Sequence, residues 1–345
     1  MKKLRQNLKQ LFCPLAGILP FKMLRQFANR DLLVINYHSI NNADPDPVIN
    51  KNIYRSVEEF EQDIKFLKKY YRFVSLKEVL EGVAGTRKLG KKCVLLTFDD
   101  GLRVVYDKFR PVLIKYDISA AVFINPCFID NKELHYQRKK NLILHTVTTR
   151  EVEEKKKHWK TIFAEQEMYS QNFYDNVNSI CYKNSSLLND LSALFKIDID
   201  KYLNRHPIYL SSDQIEKMME EGFYFGGHSM DHPNYDEISF NEQLRQTLES
   251  IEWVSKKYDV NYKVFAFPLR EHNIPVELFE AIKGQCDISF GVRGMGPDTI
   301  NNHLQRVEVE SSSMKIEHAL KLEYLKYMLR CLVGNRKYRR KNLVK

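Results

Sequence analysis

Apolar positions along the chain follow two alternating rhythms. Short runs rich in Val, Ile, Leu and Phe, such as "DLLVINYH", "KKCVLLTF", "SAAVFIN", "FYFGG", "KVFAF" and "DISFGV", alternate with stretches where apolar residues recur three and four positions apart. The runs read as buried strands and the stretches as amphipathic helices. Several helix starts carry their own signal: Ser56 with Glu59 and Ser75 with Glu78 have capping-box spacing, and Ser239 with Glu242 opens a third helix. Phe60, Ile64 and Leu67 then fall on one face of the first. Strands alternating with helices predict an α/β fold with a mostly parallel sheet or barrel.

The rhythm stops between 130 and 206, a polar, Lys- and Asn-rich stretch with helical patches and no convincing strand, and then resumes. A structureless loop of that length is improbable inside a domain, so the stretch reads as a helical insertion. Expected boundaries are a basic, apolar N-terminal segment (1–30), one barrel domain in two parts (31–129 and 207–310) around the insertion, and an amphipathic helix with a basic tail (311–345). At 345 residues, with 43% hydrophobic and 12% aromatic residues, the core is ample.

Charge adds a partner class. Lys and Arg number 54 against 44 acidic residues, a formal +10 concentrated in "MKKLRQNLKQ" and "GNRKYRRKNLVK". That favours an anionic surface or substrate; no nucleic-acid motif accompanies it. Leu11–Phe21 resembles a signal peptide, but Pro14 and Pro20 interrupt it and no small-residue cleavage site follows. A segment lying on a membrane surface is the preferred reading; the pattern of the final amphipathic helix most often means docking on its own domain, while its basic extension favours contact with an anionic leaflet. No run reaches the roughly 18 apolar residues of a spanning helix. The six cysteines are scattered without a C-x-x-C pair, as reduced thiols would be. A cytoplasmic protein, peripheral on the inner membrane face, is expected.

Candidate chemistry begins at "VLLTFDDGLR", where Asp99 and Asp100 follow an all-apolar strand and Gly101 turns the chain. Functional side chains of parallel α/β folds collect at such carboxyl ends, although Asp-Gly alone is also an ordinary turn. A second strand end, "FYFGGHSMDHPNY", offers His228 and His232 four apart, on one face if the segment is a helical turn. Two histidines and one carboxylate leave coordination positions open, as catalytic sites do. The second carboxylate is then free to act as a base on water activated by the cation, a device for hydrolysing an amide or ester. Two phosphate-loop look-alikes, "GTRKLGKK" and "GVRGMGPDT", fail their context: the first precedes a strand and the second lacks the following helix.

"TFDDG" followed by "HSMDH" resembles the first two motifs of the polysaccharide deacetylases, the NodB-homology domain of carbohydrate esterase family 4, and "INYHSI" resembles the opening of its poly-N-acetylglucosamine deacetylase branch. The resemblance implies an irregular (β/α) barrel and a metal-dependent hydrolase removing the N-acetyl group of a hexosamine, in a surface glycan or its lipid-linked precursor. It implies Asp99 as base, Asp100, His228 and His232 as ligands of a divalent metal, expected to be Zn²⁺, and His38 as the acid. "FAFPLRE", Phe265 to Glu271, matches the third motif, with Phe267, Pro268 and Arg270 toward the substrate and the Leu269 N–H at the oxyanion. Leu269 and Arg270 stand where Tyr and Gly are usual, which leaves the sugar subsite open. Ala266 occupies a position where many members carry Arg, and Arg306 is a candidate to orient Asp99. The late Leu-x-His acid motif is indistinct, with His303 its nearest match. Two other readings remain: an amidohydrolase for a non-sugar amide, and a glycan-binding pseudoenzyme.

Overall fold

The structure, a computed structural model, describes residues 16–40, 48, 55–164, 166, 169–310 and 314–340. The apolar runs form strands β1 (Leu32–Tyr37), β2 (Arg72–Phe73), β3 (Cys93–Phe98), β4 (Ala120–Ile124), β5 (Tyr224–Gly227), β6 (Val264–Ala266), β7 (Ile288–Gly291), β8 (His303–Gln305) and β9 (Val307–Glu308). They hydrogen-bond in the order β8-β7-β6-β5-β4-β3-β1-β9, with β2 beside β3, and every pairing is parallel. β8 and β9 are one pass of chain broken only at Arg306. Its first part pairs with β7 and its second with β1, so the two ends of the row meet in a nearly closed barrel.

Strand alternation sorts the side chains. Val94, Leu96 and Phe98 of β3 join the cluster under the helix Val57–Tyr70, whose Phe60, Ile64 and Leu67 are fully buried. Leu95 faces the other way, packing with Val34, Phe123, Val264 and Phe290 inside the barrel. Asp99, four residues after Leu95, continues that inner row. The interior is crowded: a Cβ on Gly226 would lie 2.6 Å from Val264 Cγ2. The capping boxes of Ser56–Glu59 and Ser75–Glu78 are both formed, and Ser239 accepts from Glu242 N–H.

Between 136 and 205 the described residues form a series of short helices and no strand, with a separate apolar cluster that includes Trp159, Phe163, Phe173, Leu188 and Leu191. Of the two readings of the final helix, the described residues show docking on its own domain. The helix Ile316–Leu332 turns Leu320, Tyr324 and Tyr327 onto the barrel domain. There the Tyr324 and Tyr71 hydroxyls are 2.5 Å apart, and Phe21, from the helix Phe21–Ala28, packs edge-on against Tyr324. Its apolar face is thus used internally, because covering barrel surface removes it from water. Arg340 of the basic extension is also internal, with its guanidinium 2.8 Å from Asp298 and 3.3 Å from Glu271. The basic residues 1–10 and 341–345 lie outside the described residues. Among the described residues no helix is long and apolar enough to cross a membrane.

Candidate active site

Three strand ends build the site. At the end of β3 the Asp99 N–H still donates to Tyr37 O, 3.1 Å, so its side chain follows the inner row. Continued alternation would send Asp100 to the outer face. Instead Asp100 and Gly101 are both left-handed, φ 69° and 60°, which keeps the second carboxylate in the barrel mouth. A side chain at Gly101 would also press on Ile124 at 3.0 Å.

After β5, His228 and His232 come together, but not on a helical turn as their spacing suggested. Residues 228–232 form an irregular loop in which Ser229 and His232 have φ of 66° and 61°. Asn125 holds the loop by donating to Ser229 O at 3.1 Å, and Gln246 accepts from Met230 N–H at 2.8 Å. The two rings lie 5.0 Å apart. His232 Nε2 is 3.2 Å and His228 Nε2 3.6 Å from Asp100 Oδ1.

Ligand atoms of Asp100, His228 and His232 all lie within 4.8 Å of one another, and this is the one such group among the described residues. The fit to a cation has independent support. Asp100 Oδ1 is buried without a hydrogen-bond partner among the described residues. His228 is held through Nδ1 against Ala266 O, 2.8 Å, which turns Nε2 toward the carboxylates. Burial raises the pKa of Asp100, but His232 and His228 outweigh it and hold the carboxyl well below its usual range.

Asp99 is gripped from the barrel seam. Arg306 Nη1 and Nη2 each lie 2.7 Å from one of its oxygens, a two-pronged ion pair between side chains 0% and 2% exposed. Asn36 donates to Asp99 Oδ2 at 2.9 Å, and its own Oδ1 accepts from Thr97 and Arg306. Burial works against ionisation, but Arg306, His228 and His38 hold the Asp99 pKa below its ordinary value. Ala266 is no gap: the guanidinium reaches the carboxylate from Arg306, at the break between β8 and β9.

His38 follows β1 with its Nε2 3.7 Å from Asp99 Oδ2 and its Nδ1 in contact with Glu310. Glu310 also accepts from the backbone N–H of His38 and Ser39, 2.6 and 3.1 Å. Burial opposes protonation of His38, but the Glu310, Asp99 and Asp100 carboxylates raise its pKa to about 10.

The third motif divides. Leu269 is exposed with φ 54°, and its N–H has no acceptor among the described residues. Arg270 is exposed beside it. Phe267 corrects the expectation of a substrate-facing ring: it is 1% exposed and packs against Phe265, Tyr235 and Phe279. Pro268 is buried as well. His303 lies inside β8, bonded to Ser289 Oγ at 2.8 Å and 3.9 Å from Glu271, so it does not open to the mouth.

A family model described as polysaccharide deacetylase matches residues 86–280, more than half of the chain. The chain belongs to the polysaccharide deacetylase family. It is 30% identical over 120 residues to poly-β-1,6-N-acetyl-D-glucosamine N-deacetylase of Staphylococcus epidermidis, covering 32% of this chain and 41% of that protein. The enzyme of the same name from Staphylococcus aureus strain MRSA252 is 30% identical over 129 residues, 34% of this chain and 43% of that one. The chain therefore spans about two fifths of the curated relatives it matches. In fold it is similar to Streptococcus pyogenes deacetylase PplD, solved with acetate (TM-score 0.54, 17% identity, 86% of this chain and 99% of that one). IcaB from Ammonifex degensii is comparable (TM-score 0.52, 17% identity, 85% and 97%). At that identity the likeness speaks to the (β/α) barrel alone.

Sequence reasoning passed over Asn36 and Glu310, although for Asn36 alternation was a usable signal: it lies in β1 two residues before His38, which follows the strand. Arg138, 3.4 Å from Asp100 Oδ2, comes from the insertion and had no signal at all.

Proposed function

We propose that this polysaccharide deacetylase family member is a metal-dependent hydrolase that removes the acetyl group from an N-acetylated hexosamine of a glycan or its lipid-linked precursor. The observation that carries the reading is the setting of Asp99. One carboxylate is locked by Arg306, stands 4.0 Å from His228 Nε2 of the metal-ligand group, and has His38 3.7 Å away. The N-deacetylase activity for which the staphylococcal relatives are named supports the substrate class.

Asp100, His228 and His232 would hold the ion, and a nitrogen-rich set with open positions suits Zn²⁺. When bound, the cation polarises the acetyl carbonyl and makes water a better nucleophile. Asp99 takes the proton of the attacking water as the new C–O bond forms, and Arg306 keeps its oxygens aimed. The Leu269 N–H donates to the developing oxyanion. His38, kept protonated by Glu310, gives its proton to the nitrogen as the C–N bond breaks, releasing acetate and a free amine. Arg270 is the exposed side chain nearest in sequence for gripping the sugar. The formal charge of +10 supports an anionic acceptor or surface, as a lipid-linked sugar at the inner membrane face would be.

Acetate release from N-acetylglucosamine oligomers and lipid-linked N-acetyl sugars, with metal-depleted and Zn²⁺-reloaded protein, tests this. Asp99→Asn should bind metal normally and lose on the order of 10²–10⁴-fold in turnover. Intact turnover in that variant refutes the mechanism, and a metal-loaded protein inactive on every sugar refutes the function.

A further inference from the structure

Behind the metal ligands lies a polar recess of about 160 Å³ counted to its open side, bordered by Asp100, His232, Asn125 and three residues of the 130–206 stretch or its edge, His135, Arg138 and Tyr209. The part a water centre can reach is about 10 Å³, close to one molecule. Besides Asp100 Oδ1, which belongs to the candidate metal-ligand group, four buried polar atoms of its lining have no hydrogen-bond partner among the described residues: Asn125 Oδ1, His135 Nε2, Arg138 Nη1 and His232 Nδ1. Leaving four such groups unsatisfied is costly. Their chemistry is complementary. With His232 bound to a cation through Nε2, its Nδ1 carries a proton and donates, as does Arg138 Nη1. Asn125 Oδ1 accepts, and so does Nε2 of a neutral His135. Two donors and two acceptors match the hydrogen-bonding capacity of one water.

His228 and His232 differ in this respect. The first is braced by the Ala266 carbonyl, whereas the second has no direct brace on its ring. Metal-ligating imidazoles almost always donate their other N–H to a fixed partner. We propose that the insertion completes the metal centre: His135 and Arg138 hold a buried water against His232 Nδ1, fixing that ring, while Arg138 also steers Asp100. The proposal rests on the metal-site reading above. The insertion grips the same loop again at Tyr182, whose hydroxyl donates to Asp231, between the two histidines, at 2.8 Å; Asp231 in turn accepts from Gln246 at 2.8 Å. The insertion thus reaches both sides of His232, and its helices are coupled to metal affinity.

The test is the Zn²⁺ dissociation constant of the full chain, from competition with a chromophoric chelator, together with the visible spectrum of the Co²⁺-substituted protein. His135→Leu and Arg138→Met should each weaken Zn²⁺ by about 10–100-fold and alter the Co²⁺ bands. His135→Gln, which keeps an acceptor, should recover part of the loss. Lys139→Ala, whose ammonium reaches Asn189 on the outer side, should leave affinity unchanged. Folded His135→Leu and Arg138→Met variants that bind Zn²⁺ within twofold of wild type overturn the proposal while leaving the metal site standing. Wild-type protein that takes up no Zn²⁺ overturns both. An experimental structure of the wild type that shows waters must also place one within hydrogen-bonding distance of the four atoms; a dry recess refutes the bridge even if the variants fail to fold.

Discussion

Arg306→Met separates the role of the barrel seam from that of the metal. The substitution keeps volume in a fully buried position but removes both prongs from Asp99, leaving a carboxylate 2% exposed without its countercharge. Breaking a buried pair by removing one partner costs about 3–5 kcal/mol. At 1.36 kcal/mol per pH unit this corresponds to about two to four units of pKa. The sign follows from linkage. In the wild type the Asp99 pKa is depressed, so its ionisation contributes stability above the unfolded value of about 3.9, lost as pH falls through the lower folded value. In the variant, burial raises the folded pKa, and stability instead falls as pH climbs from about 4 through the raised value. The stability difference between the two proteins should therefore grow with pH and level off near neutrality. Loss of the Asn36 and Thr97 contacts to Arg306 adds an offset that pH does not change. Urea denaturation of both metal-free proteins between pH 4.5 and 8 measures it, and the acid limb of acetate release should move upward in parallel. A difference that is flat across that range, with an unmoved acid limb, would refute the assignment of Arg306 as the group that keeps Asp99 ionised. Arg306→Lys, with the charge but not the fork, should lie between.

Glu310→Gln removes the main support for the His38 proton, whose pKa stands at about 10. The alkaline limb of the rate profile should shift down by about one unit or more, and the pair's contribution to stability, present below pH of about 6.5 and lost as pH rises toward the folded value, should vanish. An unchanged limb would exclude His38 as the acid. Arg340→Ala leaves Glu271 and Asp298 without the guanidinium between them and should destabilise the protein by about 3 kcal/mol in thermal or urea unfolding. Because Glu271 follows Leu269 by two residues, kcat should fall more than KM rises; full stability would place Arg340 outside the core. Removal of metal by a chelator should abolish acetate release and Zn²⁺ should restore it, and activity that survives exhaustive depletion would rule out the cation.

Much of this site was legible from one dimension. Apolar runs broken by capping boxes specify parallel strands and helices, because periods of 2 and 3.6 residues are set by local backbone geometry. The same alternation aims Asp99 inward, and the two motifs name Asp100, His228 and His232. What no local pattern encodes is which distant segments meet. Two left-handed residues, rather than a helical turn, aim Asp100 and His232. Arg306 reaches Asp99 because one broken strand closes the barrel. Phe267 and His303 look available in sequence and are buried by packing, Arg340 turns inward because two buried carboxylates require a cation, and the insertion reaches the proposed metal ligands through His135 and Arg138. Each depends on long-range pairing and burial, which hydrophobic period and motif spacing leave undetermined and the closed barrel decides.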